Sequence, residues 1–349
     1  MRIAILTHPL IGNFGGILQA KALCSYLETM GHQVILLDRR PNRSLFKRII
    51  IELLAMIGIN KYKYPYKRYA LQRCFIDNHI NRTSEICSSR ILVRQLRRHH
   101  IDCVVIGSDQ VWNHQFVQSS SLDYWGAFLP LYPIPTVAYG ASLGSDKWMY
   151  NKEQTVTIYS LLPRFKGVSV REYSATILLE NKVNVKAQWV LDPTLLQTVD
   201  FYNQFAAPPV CESPYVFVYW LGDEKVIANL QERYPKHRIL RCILGEEENS
   251  YSVERWISAI KHADVVVTDS FHGCVLSILY HRHFVPYQNI KGGVTRLHSL
   301  FEMLGLESKF VLADAIEDYD SVEYKLSILR TSSRSFLADS IARCNNKVI

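Results

Sequence analysis

Short apolar runs alternate with amphipathic stretches along almost the whole chain, and that alternation predicts the architecture before any single residue does. "RIAILT" (2–7) reads as a buried strand, and "IGNFGGILQAKALCSYLETMG" as a glycine-rich turn entering an amphipathic helix that stops at Gly31. "QVILLD" (33–38) is the next strand, and helical spacing follows at 44–59, 65–79 and 88–99. Further strands are expected at 102–107, 135–142, 167–172 and 187–193, with a helix near 151–163. "FYNQFAAPPVCESPY" (201–215) has no clear period and holds Pro208, Pro209 and Pro214, so it reads as an interdomain connection. Beyond it the alternation restarts. Strands are expected at 215–221, 237–244, 264–269, 283–288 and 309–313, helices at 223–234, 252–262, 272–280 and 294–305, and a last helix at about 320–344.

This order fits an α/β protein of two Rossmann-like domains facing each other across a cleft, with parallel sheets. The expected domains are 1–200 and 214–318, with a helical segment 319–349 returning to the first. In open parallel sheets ligands bind beyond the carboxyl ends of the strands. The polar groups at those ends are Asn13–Gly16, Ser108–Asn113, Gly140–Gly144, Arg171–Ser174 and Asp269–Gly273.

Composition narrows the class. The chain has 349 residues, 48% of them hydrophobic, which is enough for two cores. Its longest apolar run, "IIIELLAMIGI" (49–59), falls short of the roughly 20 residues a membrane span needs. "MRIAILTHPL" reads as a first strand, not a signal peptide, so a cytoplasmic protein is expected. No two of the eight cysteines stand two or three residues apart, which argues against a zinc or redox motif; no metal site is expected. The net charge of +8 suits an anionic partner. Its basic runs flank the apolar segment 44–59, as in an interfacial helix resting peripherally on anionic lipid. No nucleic-acid motif accompanies them, so nucleic acid is not expected as a partner.

"GNFGG" (12–16) offers free backbone N–H groups at a helix start, a cradle for an anion or polar ligand or simply a tight turn. It lacks the dinucleotide spacing, and Asp38 at the end of the second strand is followed by two arginines. In "VVIGSDQVWN" (104–113), Asp109 could hold sugar hydroxyls or act as a base, or Ser108 and Asp109 could cap the next helix. Arg171, directly after a strand, offers a bidentate grip on carboxylate or phosphate, or an interdomain ion pair. His272, in "TDSFHGC", stands in the first turn of a helix beside Asp269, Ser270 and Gly273. It could serve as a general acid or base near neutral pH, or be a satisfied residue at an ordinary corner; spacing alone does not choose.

Taken together, "NFGGILQAKAL", "IGSDQVWN", "YGASLG", "SVREYS", "VLDPTLL" and "TDSFHGCVLSI" resemble, in order and spacing, the polysaccharide pyruvyl transferase family over about residues 1–310. The resemblance implies a GT-B-like fold and transfer of pyruvyl from phosphoenolpyruvate to sugar hydroxyls as a ketal on a capsular or other surface polysaccharide, with no cofactor beyond that co-substrate. It implies His272 as the catalytic acid and Arg171, Ser270, Phe271, Gly273 and Lys291, with Arg296 competing for the last place, as donor-binding residues. Asn13, Gly15, Gly16, Ser108, Asp109 and Gln110 would hold the acceptor, a saccharide expected to be lipid-linked. Many family members carry arginine two positions before the histidine; Ser270 stands there in this chain. A GT-B nucleotide-sugar glycosyltransferase and a non-catalytic scaffold in polysaccharide assembly are the competing expectations.

Overall fold

The computed structural model describes residues 1–41, 50, 69–222, 229–243, 251–288, 294–306, 316 and 318–345. Most of the helix expected at 44–59, the strand expected at 309–313, most of the helix expected at 223–234, and Lys291 lie outside the described residues. Contacts divide the chain into two compact units, unit 1 being Met1–Pro193 with Thr331–Ile349 and unit 2 being Thr194–Arg330.

Unit 1 is built on six parallel strands: β1 (Arg2–Leu6), β2 (Gln33–Leu36), β3 (Cys103–Ile106), β4 (Thr136–Ala141), β5 (Gly167–Val170) and β6 (Gln188–Trp189). Their order across the sheet is β2-β1-β3-β4-β5-β6. The chain thus leaves β1 on one side to make β2 and returns on the other to make β3. The gap above the carboxyl ends of β1 and β3 is the point where the winding reverses, where such sheets bind ligands. Continuous burial of "CVVI" and "TVAYGA" explains their near-unbroken apolar sequence, as expected of strands covered on both faces.

Helix α1 (Phe14–Thr29) follows β1. Asn13 caps it by accepting from the Gly16 N–H at 3.2 Å, and Gly31, at φ +81°, takes the left-handed conformation just past its end. The amphipathic expectation needs correcting: Phe14, Ile17, Leu18, Gln19, Ala20, Ala22, Leu23 and Leu27 are all buried, so the helix is enclosed on most sides. Among the described residues of this unit's first part, the other long helices are α2 (Ala70–His79), α3 (Ser89–Arg98), α4 (Lys152–Leu161) and α5 (Tyr173–Val183). The stretch 114–125, without clear periodicity in sequence, forms a helical turn and a 3₁₀ segment. The Trp112 and Trp125 rings stack there at 4.1 Å between centroids, and such aromatic burial outweighs weak local propensity.

Unit 2 has four parallel strands, β7 (Tyr215–Trp220), β8 (Arg238–Ile243), β9 (Val265–Thr268) and β10 (His283–Pro286), ordered β10-β9-β7-β8. Its winding reverses between β7 and β9. Helices α6 (Val253–Lys261), α7 (Phe271–Leu279) and α8 (Val294–Leu304) accompany them. Val216, Val218, Val265, Val267 and Val285 form the heart of one core beneath this sheet. Helix α9 (Tyr319–Asn345) has Tyr319–Arg330 in unit 2 and Thr331–Asn345 in unit 1. Its latter part is tied to the first sheet: the Leu191 N–H donates to Ser333 Oγ at 3.0 Å, and the Cys103 and Cys344 sulfurs lie 3.1 Å apart. No helix among the described residues is long and apolar enough to cross a membrane.

Candidate functional site

In unit 1 the loops after β1 and β3 are stitched together. Thr7 Oγ1 donates to the Ser108 carbonyl at 3.0 Å, and Gln19 Nε2 donates to both Thr7 Oγ1 and the Gly16 carbonyl, each at 3.0 Å. The Ser108 N–H returns to Gln19 Oε1 at 3.2 Å. Ser108 is therefore a buried strut, and its hydroxyl donates to the Gly140 carbonyl at 2.9 Å and to Asp192 Oδ2 at 3.3 Å. Gly107 cannot be replaced easily: at φ +122°, a Cβ there would stand 2.2 Å from the Tyr139 carbonyl oxygen. Asp109 also has positive φ, +68°, and its backbone is fixed by the Ser142 N–H at 3.0 Å.

This framework leaves a pocket of about 240 Å³ lined by His8, Pro9, Leu10, Ile11, Asn13, Gly16, Asp109, Gln110 and Phe116. The structure thus brings together the residues expected to hold an acceptor: Asn13, Gly16, Asp109 and Gln110 line the pocket, with Gly15 in the first turn of α1 and Ser108 beneath. Sequence reasoning missed five of the lining residues, His8, Pro9, Leu10, Ile11 and Phe116. His8 lies two residues past the end of β1, and its ring meets Phe116 edge-on at 6.3 Å; Phe116 is half exposed. The signal for His8 was its place at the carboxyl end of the first strand, hidden by reading "THPL" as the strand's tail.

Arg171 lies in unit 1 as well, only 3% exposed. Its Nη1 is bound to Asp192 Oδ2, and its Nη2 lies 3.2 Å from Asp109 Oδ1. Burial works to lower the pKa of this guanidinium, but Asp192, Asp109 and Glu172 together outweigh it and raise the value above the ordinary one. Glu172 is itself fully buried, accepting from the Ser142 hydroxyl and from the Gly144 N–H at 3.2 Å. Among the described residues, Asp192, Asp109 and Glu172 all act on this one guanidinium.

In unit 2 the turn from β9 into α7 is equally well specified. Thr268 Oγ1 donates to the Tyr219 carbonyl at 2.7 Å and accepts from the Ser270 N–H at 3.1 Å. Ser270 caps α7 by accepting from the Gly273 N–H at 3.3 Å, and Asp269 Oδ1 accepts from the Leu221 N–H at 2.8 Å, bridging the ends of β9 and β7. A Cβ on Gly273 would fall 2.6 Å from Thr268 Oγ1, so the close approach of helix to strand requires glycine. Burial pushes the Tyr219 phenol well above its usual range. His272, 4% exposed, stands in the first turn, its ring edge-on to Phe271 at 5.1 Å. The Arg296 guanidinium lies over the Phe271 ring at 5.8 Å. Ser270, Phe271, His272, Gly273 and Arg296 therefore gather around one helix N-terminus, while Lys291 lies outside the described residues. Peptide N–H groups and the helix dipole favour negative charge at that end.

Among the described residues, no group of three or more His, Cys, Asp or Glu is placed to hold a metal ion. The chain is similar in structure to a glycosyltransferase from Rickettsia africae ESF-5, at 10% identity, TM-score 0.51 and 99% coverage of both chains. It is also similar to the UDP-GlcNAc 2-epimerase of Neisseria meningitidis bound to UDP-GlcNAc, at 9% identity and TM-score 0.50, covering 98% of this chain and 100% of that one. The UDP-GlcNAc 2-epimerase of Methanocaldococcus jannaschii gives 12% identity and TM-score 0.50, covering 96% and 94%. At such identities the likeness is one of fold, the GT-B type built from two Rossmann-like units. No functionally curated protein matches the sequence significantly. The family model described as "Polysaccharide pyruvyl transferase" matches residues 13–289, from the cap of α1 to just past β10. With a match over most of its length and the expected motifs folded into two strand-end sites, the chain belongs to the polysaccharide pyruvyl transferase family.

Proposed function

We propose that the chain transfers the pyruvyl group of phosphoenolpyruvate onto a pair of sugar hydroxyls as a ketal, in the biosynthesis of a capsular or other surface polysaccharide. The observation that carries this reading is the family match over residues 13–289. His272 is the general acid. It protonates the methylene carbon of the donor, which makes C2 an oxocarbenium-like electrophile; positioned acid catalysis of this kind contributes about 10²–10⁴-fold. The dipole of α7, the N–H groups of its first turn and the Arg296 guanidinium supply the positive potential that a carboxylate and a departing phosphate need. Ser270 cannot supply the cation found there in many relatives, so Arg296 carries that work, with Lys291 as a second cation. The acceptor is a lipid-linked saccharide reached from the cytoplasm, with the basic segment 44–68 as a peripheral contact to the inner leaflet.

Thermal unfolding with phosphoenolpyruvate and, separately, with UDP-sugars tests the proposal. Stabilisation by phosphoenolpyruvate, lost in Arg296→Ala, is the expected result, together with loss of ketal pyruvate when His272→Gln replaces the wild-type chain in cells. Stabilisation by a UDP-sugar and none by phosphoenolpyruvate would overturn it in favour of glycosyl transfer. For the membrane contact, liposome co-sedimentation should fall when Lys47, Arg48, Lys61 and Lys63 are neutralised; unchanged binding refutes it.

A further inference from the structure

We propose that Cys103 and Cys344 are a redox-active pair, which a hydroperoxide joins in a reversible disulfide that fastens the last helix, α9, onto the first sheet. Both residues belong to unit 1, and the reaction needs neither pyruvyl transfer nor any sugar substrate.

The fold brings the two sulfurs together from positions 241 residues apart in the chain. Cys103 opens β3, in the interior of the sheet, and Cys344 lies in the last turn of α9. Their sulfurs stand 3.1 Å apart, so bonding asks for a movement of only about 1 Å to reach the ~2.05 Å of a disulfide. The rest of the helix end is already held against the same sheet. The Leu191 N–H donates to Ser333 Oγ at 3.0 Å, Arg343 Nη1 donates to the Lys166 carbonyl at 3.0 Å, and the Phe336 and Tyr139 rings lie 6.4 Å apart. A bond between the sulfurs would therefore fix a contact the fold has made, with no new arrangement of the backbone.

The two thiols are also unequal, as a reacting and a resolving sulfur must be. The Cys103 S–H donates to Cys344 Sγ, and this bond outweighs burial in holding the Cys344 thiol below its ordinary pKa, with Lys166 adding to the effect. The same bond, and burial after it, push the Cys103 thiol well above its usual range. Cys24 and Cys274 are buried without such a partner effect and are driven upward by desolvation, as inert core thiols are. Access follows the same order: Cys344 keeps 7% of its surface and Cys103 none. Helix ends open at lower cost than their middles, so a small oxidant meets Cys344 first.

The step balances. The Cys344 thiolate attacks one oxygen of hydrogen peroxide, the O–O bond breaks, and hydroxide leaves and takes up the thiol's proton as water. Cys344 is then a sulfenic acid. The Cys103 sulfur attacks the Cys344 sulfur, the S–S bond forms, and the sulfenic hydroxyl departs with the Cys103 proton as a second water. Two thiols have lost two electrons in total, and one peroxide has gained them. A dithiol reductant reverses the bond by exchange. The closed loop runs from 103 to 344, and loops of such length constrain the unfolded chain strongly.

The test uses the full chain, reduced and then freed of reductant, exposed to hydrogen peroxide under native conditions and blocked with an alkylating reagent. Peptide mass analysis should find Cys103 linked to Cys344 in a chain that still runs as a single polypeptide on a non-reducing gel, and dithiothreitol should remove the link. Oxidation should raise the melting midpoint by roughly 5–15 °C, a rise absent in Cys344→Ala. In Cys103→Ser, which lacks the resolving sulfur, dimedone should trap a sulfenic acid on Cys344. Modification of the accessible Cys74, Cys87 or Cys211 while Cys103 and Cys344 stay unlinked overturns the proposal, as does a link that forms only in denaturant. A linked chain that melts within 1 °C of the reduced one, or an equal rise in Cys344→Ala, overturns the fastening role. Should either variant fail to fold, the linked peptide and the midpoint of the wild-type chain decide alone.

Discussion

Replacing Gly273 with alanine adds one methyl group at the corner where His272 is set. That methyl would stand 2.6 Å from Thr268 Oγ1 and 3.0 Å from Thr268 Cγ2. Thr268 cannot swing away without loosening its bonds to the Tyr219 carbonyl and the Ser270 N–H. Those two bonds are worth about 0.5–1.5 kcal/mol each, and forcing a methyl into a packed corner costs about 1–3 kcal/mol more. Alanine returns about 1 kcal/mol through its better helix propensity. The net expectation is a loss of about 2–4 kcal/mol, or a fall in Tm on the order of 10 °C for a unit of this size. Scanning calorimetry of Gly273→Ala, Thr268→Ala and the double variant measures it. Because Thr268→Ala removes the obstructing atoms, the double variant should lose clearly less than the sum of the two single losses. A Gly273→Ala protein melting within 1 °C of wild type, or strictly additive losses, would refute the steric argument.

Other consequences are equally direct. Arg39→Met should cost about 3–5 kcal/mol by urea unfolding, because it strands Asp123, which now meets Arg39 at 2.7 Å with both side chains buried. Gly107→Ala is expected to destabilise unit 1 by about 3 kcal/mol or more, read as lost solubility or a lowered melting midpoint, since its Cβ would press on the backbone carbonyl of Tyr139. Brief alkylation at pH 8 followed by peptide mass analysis should label Cys74, Cys87 and Cys211, which solvent reaches, before the buried Cys24 and Cys274. Burial pushes the Cys24 thiol up to about 12 and the Cys274 thiol higher still, so neither forms thiolate at that pH, and early labelling of either would contradict the packing described.

The strands were the legible part of this fold. Runs such as "CVVIG" and "ADVVVTD" can hardly be anything but buried parallel strands, and the glycine or serine after each marks a turn into a loop at the strand's carboxyl end. Pairing partners were not legible. Asp192 and Asp109 stand 21 and 62 positions from Arg171, and no periodicity reveals that the three converge, so a grip on substrate and an internal ion pair look alike in one dimension. The burial of α1 was hidden for a similar reason: Gln19 looks like a solvent-facing polar position until it proves to be an internal strut. The helical stretch at 114–125 follows from aromatic stacking between distant tryptophans, which local pattern does not record. The motifs around Asp109 and His272 were visible because sites at strand ends must be built from small and polar residues in an otherwise apolar sequence.

Helix α9 bears on the order in which the protein is made. Pro193 leaves the ribosome long before the stretch that begins at Thr331, about 140 residues later, or roughly 7–30 s of synthesis at ~5–20 residues per second. Until then the emerging first sheet lacks Ser333 against Leu191, Ser340 beside Gly167 and Cys344 against Cys103. Unit 2 is meanwhile translated almost whole. The nascent chain therefore completes its second unit before its first, and the pocket lined by Asn13 and Asp109 is left on an unfinished body while the N-terminus of α7 is already in place. A chain stalled at residue 330 should accordingly show protease resistance in unit 2 ahead of unit 1.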